Sequence, residues 1–405
     1  MFKTDWSHPL EFLLLALLLF ALPAFEAPKN LLCVAYLVTW LVNRYRCRDF
    51  GGRWDAWDSL IAAWLASGYL VAAFAALHGD EWGGANDMLR YLSLLWLLKR
   101  SGYHAEQLLL VPLLAAAGAL PPLAHGLWQL WVTHQNDFLE LNSVGHFNHT
   151  AIYLAIACGT ILSFSAAWWN RLAHWQRAVA VAVALALGSG VLITTSRGAT
   201  VSLFLLTMAL GAAWIRRSRK LGAALLIVPL ILGGAAYLAK AEVVKKQERN
   251  IESKNVLAFR DGIWHAALDT WRHAPFFGIG INNYKQVDLD KLKHWREAEG
   301  KQFDAADYYM APHAHSLYFG SLAERGLIGS TILLGALVYW LYSLLRHLPG
   351  RSSTDTEWAL WGGALSAWMI SVVVGLANTT LHHEHGMLSM LLLGAWLASR
   401  RTRLE

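Results

Sequence analysis

Apolar residues in this chain come in long runs separated by short polar joints, without strict alternation or a persistent polar stripe. A helix needs about 20 mainly apolar residues to cross a bilayer core roughly 30 Å thick, and such runs recur along almost the whole sequence. The pattern predicts about twelve spans, near 8–25, 29–43, 57–77, 88–98, 107–133, 146–168, 177–194, 199–215, 221–239, 314–344, 358–377 and 385–399. The fourth apolar stretch is short, and its helix is expected to begin near Asp87. Pro112, Pro121 and Pro122 predict a kink or break in the fifth. One polar stretch, from about Lys240 to Pro312, breaks the rhythm. Within it, 257–271 is amphipathic and 285–301 mixes both charge signs at helical spacing, so each reads as a helix on the membrane surface. The expected fold is therefore all-α and polytopic. Residues 1–239 carry spans one to nine, 240–313 form one large loop with amphipathic helices, and 314–405 carry spans ten to twelve and a tail.

Composition agrees with an integral membrane protein. Of 405 residues, 56% are hydrophobic and only 15% charged, and the mean hydropathy is +0.35. A soluble domain of this size needs more charge to cover its surface. The 21 Trp and 13 Tyr suit membrane–water interfaces. A net charge of +6 could suggest nucleic acid. The cations instead sit in alternate joints: Arg44, Arg46, Arg48 and Arg53, then Lys99 and Arg100, Arg171 and Arg177, Arg216 to Lys220, Arg346 and Arg351, and Arg400 to Arg403. Such asymmetry marks the cytoplasmic side, which puts both termini in the cytoplasm and the large loop outside. No nucleic-acid partner is expected. Cys33, Cys47 and Cys158 form neither a disulfide framework nor a metal-ligand spacing. The apolar run from Leu10 to Phe25 resembles a signal peptide, but Glu26 and Pro28 make a poor cleavage site, so it reads as an uncleaved first span.

A few residues ask for a chemical explanation. Arg197, in Thr194-Thr195-Ser196-Arg197-Gly198, lies in a tight turn on the outer side, where few cations occur. It is either a snorkelling interfacial Arg or an anion clamp, since guanidinium grips phosphate oxygens bidentately. Arg260 opens the amphipathic stretch and is either solvated, paired with Asp261, or a second clamp. Pro312-His313-Ala314-His315-Ser316 opens the tenth span. An imidazole near its reference pKa of about 6.5 can take a proton from a hydroxyl at neutral pH, while a histidine at such a position can also simply anchor a helix. Asn148 and His149, at the outer start of the sixth span, either begin the helix or line a site. Asp288-Leu289-Asp290 matches a metal-binding Asp-x-Asp, but sits among lysines of a charged helix. His382-His383-Glu384-His385 could hold a metal, form an interfacial cluster or line an acceptor site.

These residues, in order, resemble the O-antigen ligase and O-antigen polymerase family of type C-like glycosyltransferases. The pieces are Gly145-His146-Phe147-Asn148-His149, Ser196-Arg197-Gly198, Arg260 with Trp264, Pro275-Phe276-Phe277-Gly278-Ile279-Gly280, and His315-Ser316 ahead of Glu324-Arg325-Gly326. The family's usual His-Asn pair reads His315-Ser316 here. The resemblance implies a multi-span protein of the bacterial inner membrane with a periplasmic loop and a periplasmic active face. It implies a donor glycan on undecaprenyl diphosphate and a lipid A core acceptor, both met at the membrane lipid surface. Arg197 and Arg260 correspond to diphosphate-binding arginines and His315 to the catalytic His, with His313, Asn148 and His149 as further substrate-binding candidates. Because guanidinium groups can replace a divalent cation, no metal and no cofactor are expected. A polymerase acting on lipid-linked repeats is the nearest alternative. A transporter of a lipid-linked glycan is a third, disfavoured by the lack of an internal repeat and by candidate residues that gather at one face.

Overall fold

A computed structural model describes residues 8–238, 245, 248 and 257–401; most of 239–256, where the large loop opens, and the tail 402–405 lie outside them. The described residues form helices α1 (Pro9–Ala21), α2 (Glu26–Cys47), α3 (Ala56–Ala73), α4 (Glu81–Lys99) and α5 (Ala105–Trp131). Next come α6 (Phe147–Trp168), α7 (His174–Ile193), α8 (Arg197–Ile215) and α9 (Arg219–Leu238). After the loop opens there follow α10 (Arg260–His273), α11 (Leu289–Ala298), α12 (Leu317–Arg346), α13 (Asp355–Val374) and α14 (His383–Arg401). A helix lies at each of the twelve expected stretches. Among the described residues seven, α3, α5, α6, α7, α8, α12 and α13, are long and apolar enough to cross a membrane. The all-helical architecture of a membrane protein follows.

Burial ranks these helices. α6 is almost wholly enclosed and α13 mostly so, whereas α7 keeps much of its surface outside. Small residues let α6 and α13 approach: a Cβ on Gly362 would come within 2.3 Å of Ser163 Oγ. One end of the bundle is rich in arginine. Arg217 and Arg171 both pair with Asp355 there, Arg100 pairs with the enclosed Asp58 at 2.8 Å, and Arg44 reaches Glu11 at 3.4 Å and His8 at 3.1 Å. The three cysteines are free.

Four expectations need correction. The fourth helix begins at Glu81, not near Asp87, because the Glu81 carboxylate accepts from Gly79 N at 2.6 Å and Asn283 Nδ2 at 3.2 Å. Polar anchoring, which hydropathy does not register, sets that boundary. Secondly, the helix does not break at Pro112, Pro121 and Pro122, since α5 continues through all three. A proline frees a carbonyl, but abandoning the helix in an apolar setting would strand many more backbone groups. Thirdly, α12 starts at Leu317, where Ser316 Oγ caps the N–H groups of Tyr318 and Phe319. His313 and His315 therefore lie in the connection before the helix. Finally, the charged helix α11 is shorter than 285–301, because the Asp288 carboxylate caps it by accepting from Lys291 N at 2.8 Å.

The sharpest break falls in α12, at Gly326, whose φ of 59° and ψ of −164° are non-helical. The turn Pro275–Gly280 fills the gap. Ile279 N and Gly280 N donate to the carbonyls of Ala323 and Glu324, each at 2.9 Å, while Leu327 N and Ile328 N donate to those of Pro275 and Phe276 at 2.8 and 3.1 Å. Backbone groups freed by the break are thus satisfied by the intruding turn, as an apolar environment demands. Gly326 has no room for a side chain, since a Cβ would lie 2.4 Å from Phe276 C and O.

That turn belongs to a small second core above the bundle. Ala266, Ala267, Tyr284, Leu292 and Trp295 pack there against Ala314 and Ala323. His273 stacks on Trp295 at 4.2 Å, and Tyr308 Oη donates to Asp269 at 2.6 Å. Trp264 stacks on Phe319 at 5.1 Å. The loop region is consequently a folded layer fastened to α12.

Candidate functional site

The end of the bundle opposite the arginine-rich end gathers the starts of α6, α8, α12 and α14 under this layer. Three local devices position the candidate side chains. His146 caps α6, its Nδ1 accepting from Asn148 N at 3.3 Å. Asn148 Oδ1 accepts from Ser196 Oγ at 2.9 Å, tying the α7–α8 turn to the start of α6. In that turn Thr195 adopts φ 58°, and the following Ser196 precedes Arg197, the first residue of α8.

Arg260 opens α10 and leans toward the turn after α13: its Nε donates to Ala377 O at 2.8 Å and its Nη1 to Leu257 O at 3.1 Å. Burial, and after it the positive charge of Arg197, lower its pKa from the ordinary guanidinium value. Arg197 and Arg260 are therefore electrostatic neighbours in a partly enclosed space. Two like charges held together in this way suit a multiply charged anion.

His315 completes the group. Its backbone sits at φ 45°, a left-handed conformation that a non-glycine residue adopts only when its surroundings impose it. Burial first, then the charge of Arg260, hold its imidazole below the ordinary value, while the polar Asn378 side chain works the other way. His313 and His146 act on the same ring. A half-buried, neutral imidazole beside the Arg260 guanidinium can accept a proton while Arg260 and its neighbour Arg197 steady negative charge. The pKa of His313 is likewise lowered, by desolvation first and then by the charge of Lys285.

Further histidines border this group. His149 Nδ1 and His385 Nε2 lie 3.0 Å apart with their rings stacked at 5.1 Å. His382 is 3.4 Å from His383 and 6.0 Å from His313, measured between ring centroids. Glu384 does not face these rings as a ligand; its carboxylate pairs with Lys29, and both are buried. Among the described residues no three His, Cys, Asp or Glu are arranged to hold a metal ion. Asp288 is occupied as a helix cap.

The structure thus brings together Arg197, Arg260 and His315, with Asn148, His149 and His313 along the same end. Asn378 and the Ala377 carbonyl were not foreseen. The polar triplet Asn378-Thr379-Thr380 after an apolar span is their only signal, and hydropathy alone registers it simply as the end of the eleventh span.

No curated protein matches the sequence. A family comparison does find a match, covering Arg197, Arg260, His313, His315 and the Gly326 break but not the α13–α14 turn. Residues 179–334 match the family model described as O-antigen ligase, so this stretch of the chain is similar to that family.

Proposed function

We propose that the protein transfers an O-antigen glycan from undecaprenyl diphosphate to a sugar hydroxyl of lipid A core, at the periplasmic face of the bacterial inner membrane. The observation that carries this reading is Arg260, which interacts electrostatically with both Arg197 and His315 at the end opposite the arginine-rich one. The charge asymmetry of the joints supports cytoplasmic termini, twelve spans and a periplasmic loop. The family points to a lipid-linked glycan and an acceptor as the two substrates.

In the proposed step, a neutral His315 takes the proton of the acceptor hydroxyl as its oxygen bonds to the anomeric carbon. The bond from that carbon to the diphosphate oxygen breaks, and undecaprenyl diphosphate leaves with the electron pair. Attack opposite the leaving group inverts the anomeric centre. Arg197 and Arg260 stabilise the charge developing on the diphosphate, where fixed positive groups lower the barrier most. The donor's lipid tail stays in the bilayer while its headgroup reaches them.

The test is transfer by purified enzyme with donor and either lipid A core or a second lipid-linked glycan as acceptor, with and without chelator. Transfer to lipid A core that survives chelation and is abolished by His315→Ala and Arg197→Ala is expected. Transfer only to the second glycan would identify a polymerase, and restoration by an added metal after chelation would remove the arginine account.

A further inference from the structure

A cavity lies against the chain on both sides of His315. It is lined by Ala314 and Ser316, by Ser321 and Arg325 of α12, and by Thr380 and His382 of the turn before α14. Arg197 and Arg260 are not among its lining residues. Arg325 has no carboxylate within ion-pair distance among the described residues. Its charge is felt by Glu324, Tyr91 and His382, while Glu324, also on the wall, accepts from Tyr284 N at 3.3 Å. His382 Nδ1 is shut away from solvent without a hydrogen-bond partner. The hydroxyls of Ser321 and Thr380 are anchored, Ser321 accepting from Ser330 Oγ at 3.0 Å and Thr380 donating to Ser371 O at 2.7 Å, and both retain acceptor capacity.

A guanidinium, an unpartnered imidazole nitrogen and fixed hydroxyls around one space form a recognition set for a hydroxylated molecule bearing an anionic group. We propose that this cavity, about 50 Å³ in volume, is the anion pocket of the acceptor subsite and that it takes the phosphate or carboxylate group of an acceptor sugar, gripped by Arg325. The proposal rests on the transferase reading and extends it: the donor diphosphate belongs to Arg197 and Arg260, the acceptor anion to Arg325, and His315 borders both.

Initial rates of the full-length enzyme, titrated separately in donor and in lipid A core, test this. Arg325→Gln raises the acceptor KM by about tenfold or more and leaves the donor KM unchanged, and Arg325→Lys recovers part of the loss. In wild type, a soluble hexose phosphate or hexuronate, but not the neutral hexose, inhibits competitively against the acceptor and not against the donor. Inhibition by the phosphate alone identifies a phosphate ligand and by the hexuronate alone a carboxylate. An unchanged acceptor KM in Arg325→Gln, an equal rise in both KM values, or no inhibition by either anion in wild type overturns the proposal. The wild-type competition decides the matter even where Arg325→Gln fails to fold. Full activity in His315→Ala would instead overturn the transferase reading, whatever Arg325→Gln does.

Discussion

Arg260 Nε donates to the Ala377 carbonyl at 2.8 Å, and the side chain of the next residue, Asn378, acts on the ring of His315. One short turn between α13 and α14 therefore holds both a clamp and the candidate base. Asn378 is buried, and its Oδ1 also accepts from Thr379 N at 2.9 Å, which fixes its orientation. His315 Nδ1 is itself enclosed and has no hydrogen-bond partner among the described residues. Asn378→Ala is expected to lower kcat by about tenfold or more, equivalent to about 1.4 kcal/mol, with KM values little changed. Asn378→Asp should move the acid limb of the pH–rate profile upward, because a carboxylate favours imidazolium. An unmoved limb in Asn378→Asp would leave Asn378 with a purely structural role.

Transfer should depend on pH in a direction set by His315. Burial and Arg260 hold it below the usual value, so it is neutral, and able to accept a proton, throughout the neutral range. The rate is expected to stay level above about pH 6.5 and to fall only as acidification protonates the ring. A rate that declines already between pH 8 and 7 would exclude this histidine as the base.

Stability should follow the same side of the scale. His146, His313, His315 and His382 all have folded pKa values below the ordinary one, in each case chiefly through burial. As pH falls through about 6.5, the unfolded chain takes up protons that the folded chain resists, so the folded state loses ground. Above that range their contribution is fully present. Thermal unfolding in detergent should therefore occur at lower temperature at pH 5.5 than at pH 7.5, and the difference should shrink in His382→Asn.

Gly326→Ala tests the break in α12. Gly326 occupies a backbone region nearly reserved for glycine, and its Cβ would strike Phe276. The dihedral alone costs about 1–3 kcal/mol, and the clash adds to it by expelling the Pro275–Gly280 turn. A marked drop in unfolding temperature and loss of transfer are expected. Wild-type behaviour would mean that the turn does not depend on the break.

Lys29 and Glu384 provide a reciprocal test of a buried ion pair. Both side chains are nearly inaccessible, 3% and 5% exposed. Lys29→Met leaves a buried carboxylate unpaired and should destabilise by about 3–5 kcal/mol. The double variant Lys29→Met/Glu384→Met should regain much of that loss, since it removes both desolvated charges. If the two single effects merely added, the pair would not act as a unit.

Much of the fold could be read directly from hydropathy. Runs near 146–168 and 358–377 had to become α6 and α13, because apolar length satisfies backbone hydrogen bonds only as helix in such surroundings. Charge placement supplied an expected orientation, and residue type at unusual positions singled out Arg197, Arg260 and His315. These are local properties. The turn that completes a broken helix, the carbonyl that receives Arg260, the Lys29–Glu384 pair and the Arg325 cavity join residues far apart in the chain. Hydropathy and spacing carry no term for such partnerships. They are decided only when packing brings one segment's unsatisfied polar groups against another's.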